Sequence, residues 1–190
     1  MIPTVHIRKE ALFIMIWSAL ETFKKECLGF VLGYRPTPKR NYFLVTDATS
    51  FTSMKKLLNT GVELTKRTDK RFKAFISLIH PIYPKYLGDF HSHSEWGKLK
   101  SPPEMSDRDL EQFKKYNWPL EFIIGISSRR KGQATWEILP DGGIKGSFNS
   151  FNFHINVFSL IEEGNEGIPQ KLQIVAPTAL EALNRILIRK

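Results

Sequence analysis

The chain has 190 residues, with 28 Lys and Arg against 19 Asp and Glu, so its formal net charge is +9. Hydrophobic residues make up 42% and charged ones 25%, a globular balance that excludes wholesale disorder, and the length suits one domain rather than a (β/α)8 barrel of about 250 residues. One cysteine, Cys27, excludes an internal disulfide and any zinc site built mainly on thiolates.

Residues 9–25 read as a helix, because Leu12, Met15, Ile16, Ala19, Leu20 and Phe23 recur at three- and four-residue spacing. The apolar run Ala11 to Trp17 inside it falls short of the roughly 18 residues that a membrane span needs, and no secretory signal is expected. A cytoplasmic, reducing setting is the simplest expectation. Gly29 to Gly33 and Tyr42 to Thr46 read as strands, separated by the proline turn at Arg35-Pro36-Thr37-Pro38. Residues 53–66 read as a helix interrupted by Gly61, and residues 72–80 (FKAFISLIH) as a buried strand.

Leu87 to Ser92 reads as another strand, and Ser94 to Pro103 as a long loop. Ser106 opens a helix with Asp107 and Asp109 in its first turn, where acids suit the helix dipole. Strands follow at Phe122–Ser127 and Ala134–Leu139, and Asp141-Gly142-Gly143 is a hairpin turn. Phe151–Phe158 reads as one more strand and Thr178–Ile188 as a helix after Pro177. The pattern is mixed α/β with some antiparallel sheet, and it holds no repeat and no glycine-rich phosphate loop.

The basic residues fall in short clusters, at Lys66, Arg67, Lys70, Arg71 and Lys73, at Arg129, Arg130 and Lys131, and at Arg189 and Lys190. No helix-turn-helix, finger or RNP pattern stands beside them. They read first as solvated surface; nucleic-acid binding is the less favoured alternative, and it predicts affinity that falls steeply with salt.

Chemistry concentrates in Gly88-Asp89-Phe90-His91-Ser92-His93. Alternate strand side chains share a face, so His91 and His93 point the same way and suit one metal ion. Asp89 shares that face and suits a supporting acceptor that fixes a histidine tautomer. A carboxylate from Ser106-Asp107-Arg108-Asp109 can return to the strand end and complete a two-His, one-carboxylate set with an open position. Glu26, in ECLGFVLG, offers a base.

Glu26, the His91-Ser92-His93 pair and Ser106-x-x-Asp109, in this order and context, resemble the JAMM metalloprotease signature of the MPN domain family. The resemblance covers about residues 9–128. It implies a single MPN-like α/β domain over 1–190, its mixed, largely antiparallel sheet flanked by helices, with 129–190 adding strands and a helix. It implies that His91, His93 and Asp109 bind Zn²⁺ with water as fourth ligand, that Glu26 moves the proton, and that Ser106 donates to the tetrahedral oxyanion. Ser106 is also a natural helix N-cap, and the two roles compete for one hydroxyl.

Two departures stand out. Ser94 occupies the place of the family's usual proline, and the loop before Asp109 is longer than usual. Asp107 is therefore the alternative ligand, with Glu95 and Glu104 remoter ones. The implied activity is zinc-dependent hydrolysis of a peptide or isopeptide bond, on a ubiquitin-like protein whose tail lies extended in a groove, with Trp96 in the long loop over it. The competing expectation is a non-catalytic MPN-like module that binds a partner.

Overall fold

The structure is a computed structural model, and it describes residues 2–51, 54–57, 61–64, 66–79, 85–95, 102–129, 134–163 and 166–188. Twelve strands and four helices alternate along these residues. They are β1 (Thr4–Ile7), α1 (Lys9–Glu21), β2 (Leu28–Tyr34), β3 (Tyr42–Ser50), β4 (Met54–Leu57), β5 (Gly61–Leu64), α2 (Lys66–Ile79) and β6 (Lys85–Ser94). Then follow α3 (Asp107–Tyr116), β7 (Leu120–Ser128), β8 (Glu137–Ile138), β9 (Ile144–Phe148), β10 (Phe151–Glu163), β11 (Glu166–Lys171), β12 (Ile174–Val175) and α4 (Pro177–Ile188).

Ten strands form one sheet in the order β12-β1-β3-β2-β6-β7-β10-β9-β8, with β11 on the far half of β10. The pairings β1–β12, β1–β3 and β6–β7 are parallel and the rest antiparallel. Strand twist accumulates across so many strands. The two ends of the sheet meet: Ile174 N on β12 donates to Gly142 O, in the turn between β8 and β9, at 2.9 Å. The result is a nearly closed barrel with few helices. This corrects the expected MPN-like α/β domain with a sheet flanked by helices. The sequence reading lacked β1, β9, β11 and β12, and closure depends on where these short segments pair.

Three local readings are also corrected. The helix expected over 53–66 is, where described, the antiparallel pair β4–β5. Of the strand expected over 72–80, residues 72–79 lie in α2 and His80 lies outside the described residues; a short apolar run does not by itself distinguish strand from buried helix. Of the strand expected over 134–139, only Glu137–Ile138 forms strand; Ala134 N donates to the Ser147 side chain and Trp136 N to the Asn184 side chain.

Two cores lie on opposite faces of the sheet. The larger buries Leu12, Met15 and Ile16 of α1 and Ala179 and Leu183 of α4 against Val31, Phe90, Phe122, Ile124 and Ile155. The smaller packs Phe113 of α3 against Ile123 and Phe158. Cross-strand partners share a face. Leu28 lies opposite His91, Phe30 opposite Asp89, Glu121 opposite Asp89 and Ile123 opposite His91, so the two histidines stand on the face that α3 covers.

Candidate metal centre

Backbone geometry sets the aim of β6. The β2–β6 register shifts at Val31/Leu32, opposite Gly88, whose φ is +154°. A Cβ there would sit 1.7 Å from Leu120 O. Only glycine allows this bulge and this approach, and beyond it Asp89, His91 and His93 alternate onto one face.

The opposing carboxylate comes from the start of α3. Ser106 is its N-cap: Asp109 N donates to Ser106 Oγ at 3.2 Å, and Ser106 N donates to Asp109 Oδ2 at 2.9 Å. The Ser106 hydroxyl also donates to Asp109 Oδ2, at 2.6 Å. Phe113 lies four residues on, on the same side of the helix, and its burial turns that side toward the sheet.

These elements bring His91, His93 and Asp109 together. The two Nε2 atoms lie 3.1 Å apart, His91 Nε2 is 3.4 Å from Asp109 Oδ1, and His93 Nε2 is 3.3 Å from Asp109 Oδ2. Asp107 is exposed and stands outside the group. Glu95 accepts from Ser128 N at 2.9 Å, and Glu104 from Asn156 Nδ2 at 3.3 Å. Burial acts to raise the Asp109 carboxyl, but hydrogen bonds from His91, His93 and Ser106 hold it far below the usual carboxylate range. Burial disfavours a charged His93, yet Asp109 more than offsets that and holds it above the ordinary histidine value.

Donor chemistry matches a metal. His93 Nδ1 faces Pro102 O at 2.9 Å, and a carbonyl only accepts, so the neutral ring keeps its proton on Nδ1 and presents a lone pair at Nε2. Tetrahedral zinc with bonds of about 2.0–2.1 Å spaces its ligand atoms by about 3.3 Å. The Nε2–Nε2 distance and the distance from each Nε2 to one Asp109 oxygen, Oδ1 for His91 and Oδ2 for His93, are close to that spacing, and two imidazoles with a carboxylate are a zinc set with room for a fourth ligand.

Glu26 sits in the connection between α1 and β2, half-buried. Three bonds tie this connection to β6: Cys27 N donates to Ser92 Oγ at 2.8 Å, Ser92 N to Cys27 O at 3.3 Å, and Ser94 Oγ to Lys25 O at 3.0 Å. Burial raises the Glu26 carboxyl above its ordinary value, and the nearby His91 and His93 partly oppose this.

Two residues escape the sequence reading. Glu121 is buried on β7, with Oε1 3.5 Å from His91 Nδ1. It is the second residue of an apolar strand (LEFIIGISS), and an acid at that position is the one signal the sequence holds. Asn156 is buried on β10 and donates from Nδ2 to Pro103 O at 3.0 Å, which holds the chain that accepts from His93. Asp89 and Glu121 are register partners with the orphaned oxygens Asp89 Oδ1 and Glu121 Oε2. Burial pushes the Glu121 carboxyl up to about 10, and the Asp89 carboxyl well above its usual value. Trp96, expected over a groove, lies outside the described residues.

No family model matches the sequence, and no curated protein matches it. Among solved structures, the chain is similar to the solution structure of protein DSY2949 from Desulfitobacterium hafniense. The two share 16% identity over 91% of this chain and 92% of that one, with a TM-score of 0.49. No helix among the described residues is long and apolar enough to cross a membrane.

Proposed function

We propose that this chain is a zinc-dependent hydrolase of peptide or isopeptide bonds, of the JAMM type in its site chemistry, acting on the tail of a ubiquitin-like protein. The observation that carries the reading is the convergence of His91 Nε2, His93 Nε2 and the Asp109 carboxylate within 3.4 Å of one another, with half-buried Glu26 beside them. The ubiquitin-like substrate and a cytoplasmic setting rest on the motif resemblance and on the lone buried Cys27.

His91, His93 and Asp109 would hold the ion. Bound Zn²⁺ supplies Lewis acidity, which polarises a carbonyl and lowers the pKa of water toward about 7. Amide hydrolysis also needs a proton taken from the attacking water and one delivered to the departing amine. Glu26 does both, and its raised carboxyl suits the exchange near neutral pH. Ser106 has one hydroxyl proton, which it donates to Asp109. To stabilise a tetrahedral oxyanion that hydroxyl turns away from Asp109, while the backbone N–H of Ser106 keeps the carboxylate in place.

The test is metal content and hydrolysis of ubiquitin-like fusions, for the wild type and Glu26→Gln. The wild type is expected to take up about one equivalent of zinc and to cleave. Glu26→Gln is expected to keep its metal and to lose about 10²–10⁴-fold in kcat. A wild type that stays metal-free after zinc addition overturns the site. A fully active Glu26→Gln overturns the base.

A further inference from the structure

The buried pair Asp89–Glu121 belongs to no role assigned so far. Both side chains are more than nine-tenths buried, and they lie side by side across the parallel β6–β7 register. Each keeps one oxygen without a hydrogen-bond partner among the described residues. Buried carboxyls with orphaned oxygens destabilise a fold, so their presence in a well-packed sheet points to a use. Among the described residues, both cluster with His91, and Glu121 Oε1 lies 3.5 Å from its Nδ1.

Each ring nitrogen of His91 then has its own neighbour. Nε2 is 3.1 Å from His93 Nε2 and 3.4 Å from Asp109, while Nδ1 is 3.5 Å from Glu121 Oε1. His93 is arranged in the same way, with Pro102 O on its Nδ1. The two ligands therefore use different devices to fix one tautomer. The Pro102 carbonyl, next to the Pro103 carbonyl that Asn156 holds, serves His93, and a buried carboxyl serves His91.

We propose that Glu121 is the positioning residue for His91: it accepts the Nδ1 proton and so presents the Nε2 lone pair to the metal. Asp89, the residue that shares the histidine face in sequence, is the register partner of Glu121 and is not given this role. This inference rests on the metal reading above. A carboxyl oxygen that accepts from a ligating imidazole fixes its tautomer, and loss of such a partner typically costs about 10–100-fold in metal affinity. In Glu121→Gln the amide N–H₂ can donate to Nδ1, which favours the wrong tautomer, with hydrogen on Nε2.

The experiment titrates full-length, chelator-stripped protein with Zn²⁺, and separately with Co²⁺, for the wild type, Glu121→Gln and Asp89→Asn. Calorimetry gives affinity and stoichiometry, and the visible Co²⁺ spectrum reports the ligand set. Long-range ¹⁵N–¹H spectra of the zinc-loaded proteins report the His91 tautomer. One equivalent is expected in the wild type, with the His91 proton on Nδ1. Glu121→Gln is expected to bind about 10–100-fold more weakly. Asp89→Asn is expected to stay within about threefold of the wild type, well short of that loss. If Glu121→Gln folds and matches the wild type in affinity, the inference fails while the metal site stands. If two equivalents bind and Asp89→Asn loses as much as Glu121→Gln, the buried triad holds a metal of its own and the positioning role is wrong. If the wild type binds no metal, the underlying site reading fails instead.

Discussion

Ser94 stands where the resembled family carries proline, and its hydroxyl donates to Lys25 O at 3.0 Å. That bond fastens the connection carrying Glu26 to the strand carrying both histidines. A proline would restrict the loop but supply no donor. On the proposed function, removing the hydroxyl should therefore loosen Glu26 without disturbing metal binding. For Ser94→Ala we expect unchanged zinc content, a stability loss of about 1 kcal/mol, and a kcat reduced by on the order of tenfold with little change in KM. Steady-state kinetics beside metal analysis check this; a lost metal, or a changed KM with unchanged kcat, would count against the tether. At this scale much of the candidate site is legible in the sequence: residue type and local spacing single out Glu26, His91, His93, Ser106 and Asp109. Glu121 and Asn156 do not, because their partners lie 30 or more residues away and are set by strand register.

Among the elements, β6 carries the most information per residue. Its alternation puts the two imidazoles on one face, and its bulge at Gly88 explains why that face is the one under α3. A one-residue slip would turn both histidines away from Asp109. Gly88→Ala should strain the strand, because its Cβ would meet the Leu120 carbonyl and neither backbone can yield cheaply. We expect a loss of about 1–3 kcal/mol or more in denaturant unfolding, together with weakened zinc binding. An Ala variant as stable as the wild type would show that the bulge is dispensable. The helix α3 is legible from its S-x-x-D start, which forms a capping box. By contrast, α2 is easily misread: FKAFISLI is apolar enough for a strand, yet Phe72, Ile76 and Ile79 also repeat at helical spacing. Periodicity alone does not choose between these readings when a run is short.

For the whole molecule, closure of the sheet is the least legible property, since it depends on a two-residue strand, β12, and a turn more than 30 residues before it. The sheet also buries two carboxyls, Asp89 and Glu121. The titrating groups of the site then set how stability follows pH in the metal-free protein. Glu121, Asp89 and Glu26 are all raised by burial, so above the ordinary carboxylate range the unfolded chain ionises while the folded one resists, and stability falls as pH rises. For Glu121 that loss continues toward its value near 10. His93 is also raised; its contribution is full below the ordinary histidine value and fades as pH climbs through the folded value. Asp109 acts oppositely, since its depressed carboxyl stabilises above the ordinary range and that support is lost only in strong acid. Chelator-stripped protein should therefore melt several degrees higher at mildly acid pH than at pH 8, where about 1 kcal/mol corresponds to about 2–4 °C. Zinc should close the gap at pH 8, because a ligand that binds only the folded state stabilises it in proportion to the logarithm of its concentration. Glu121→Gln separates the two effects. It removes a buried ionisable group, so the stripped variant should melt higher than the stripped wild type at pH 8. It also removes the acceptor of His91, so the same variant should gain less from zinc. Melting curves at pH 5.5 and pH 8, with and without zinc, decide it: a stripped wild type that melts higher at pH 8 than at pH 5.5 would contradict the burial of these carboxyls as the dominant effect.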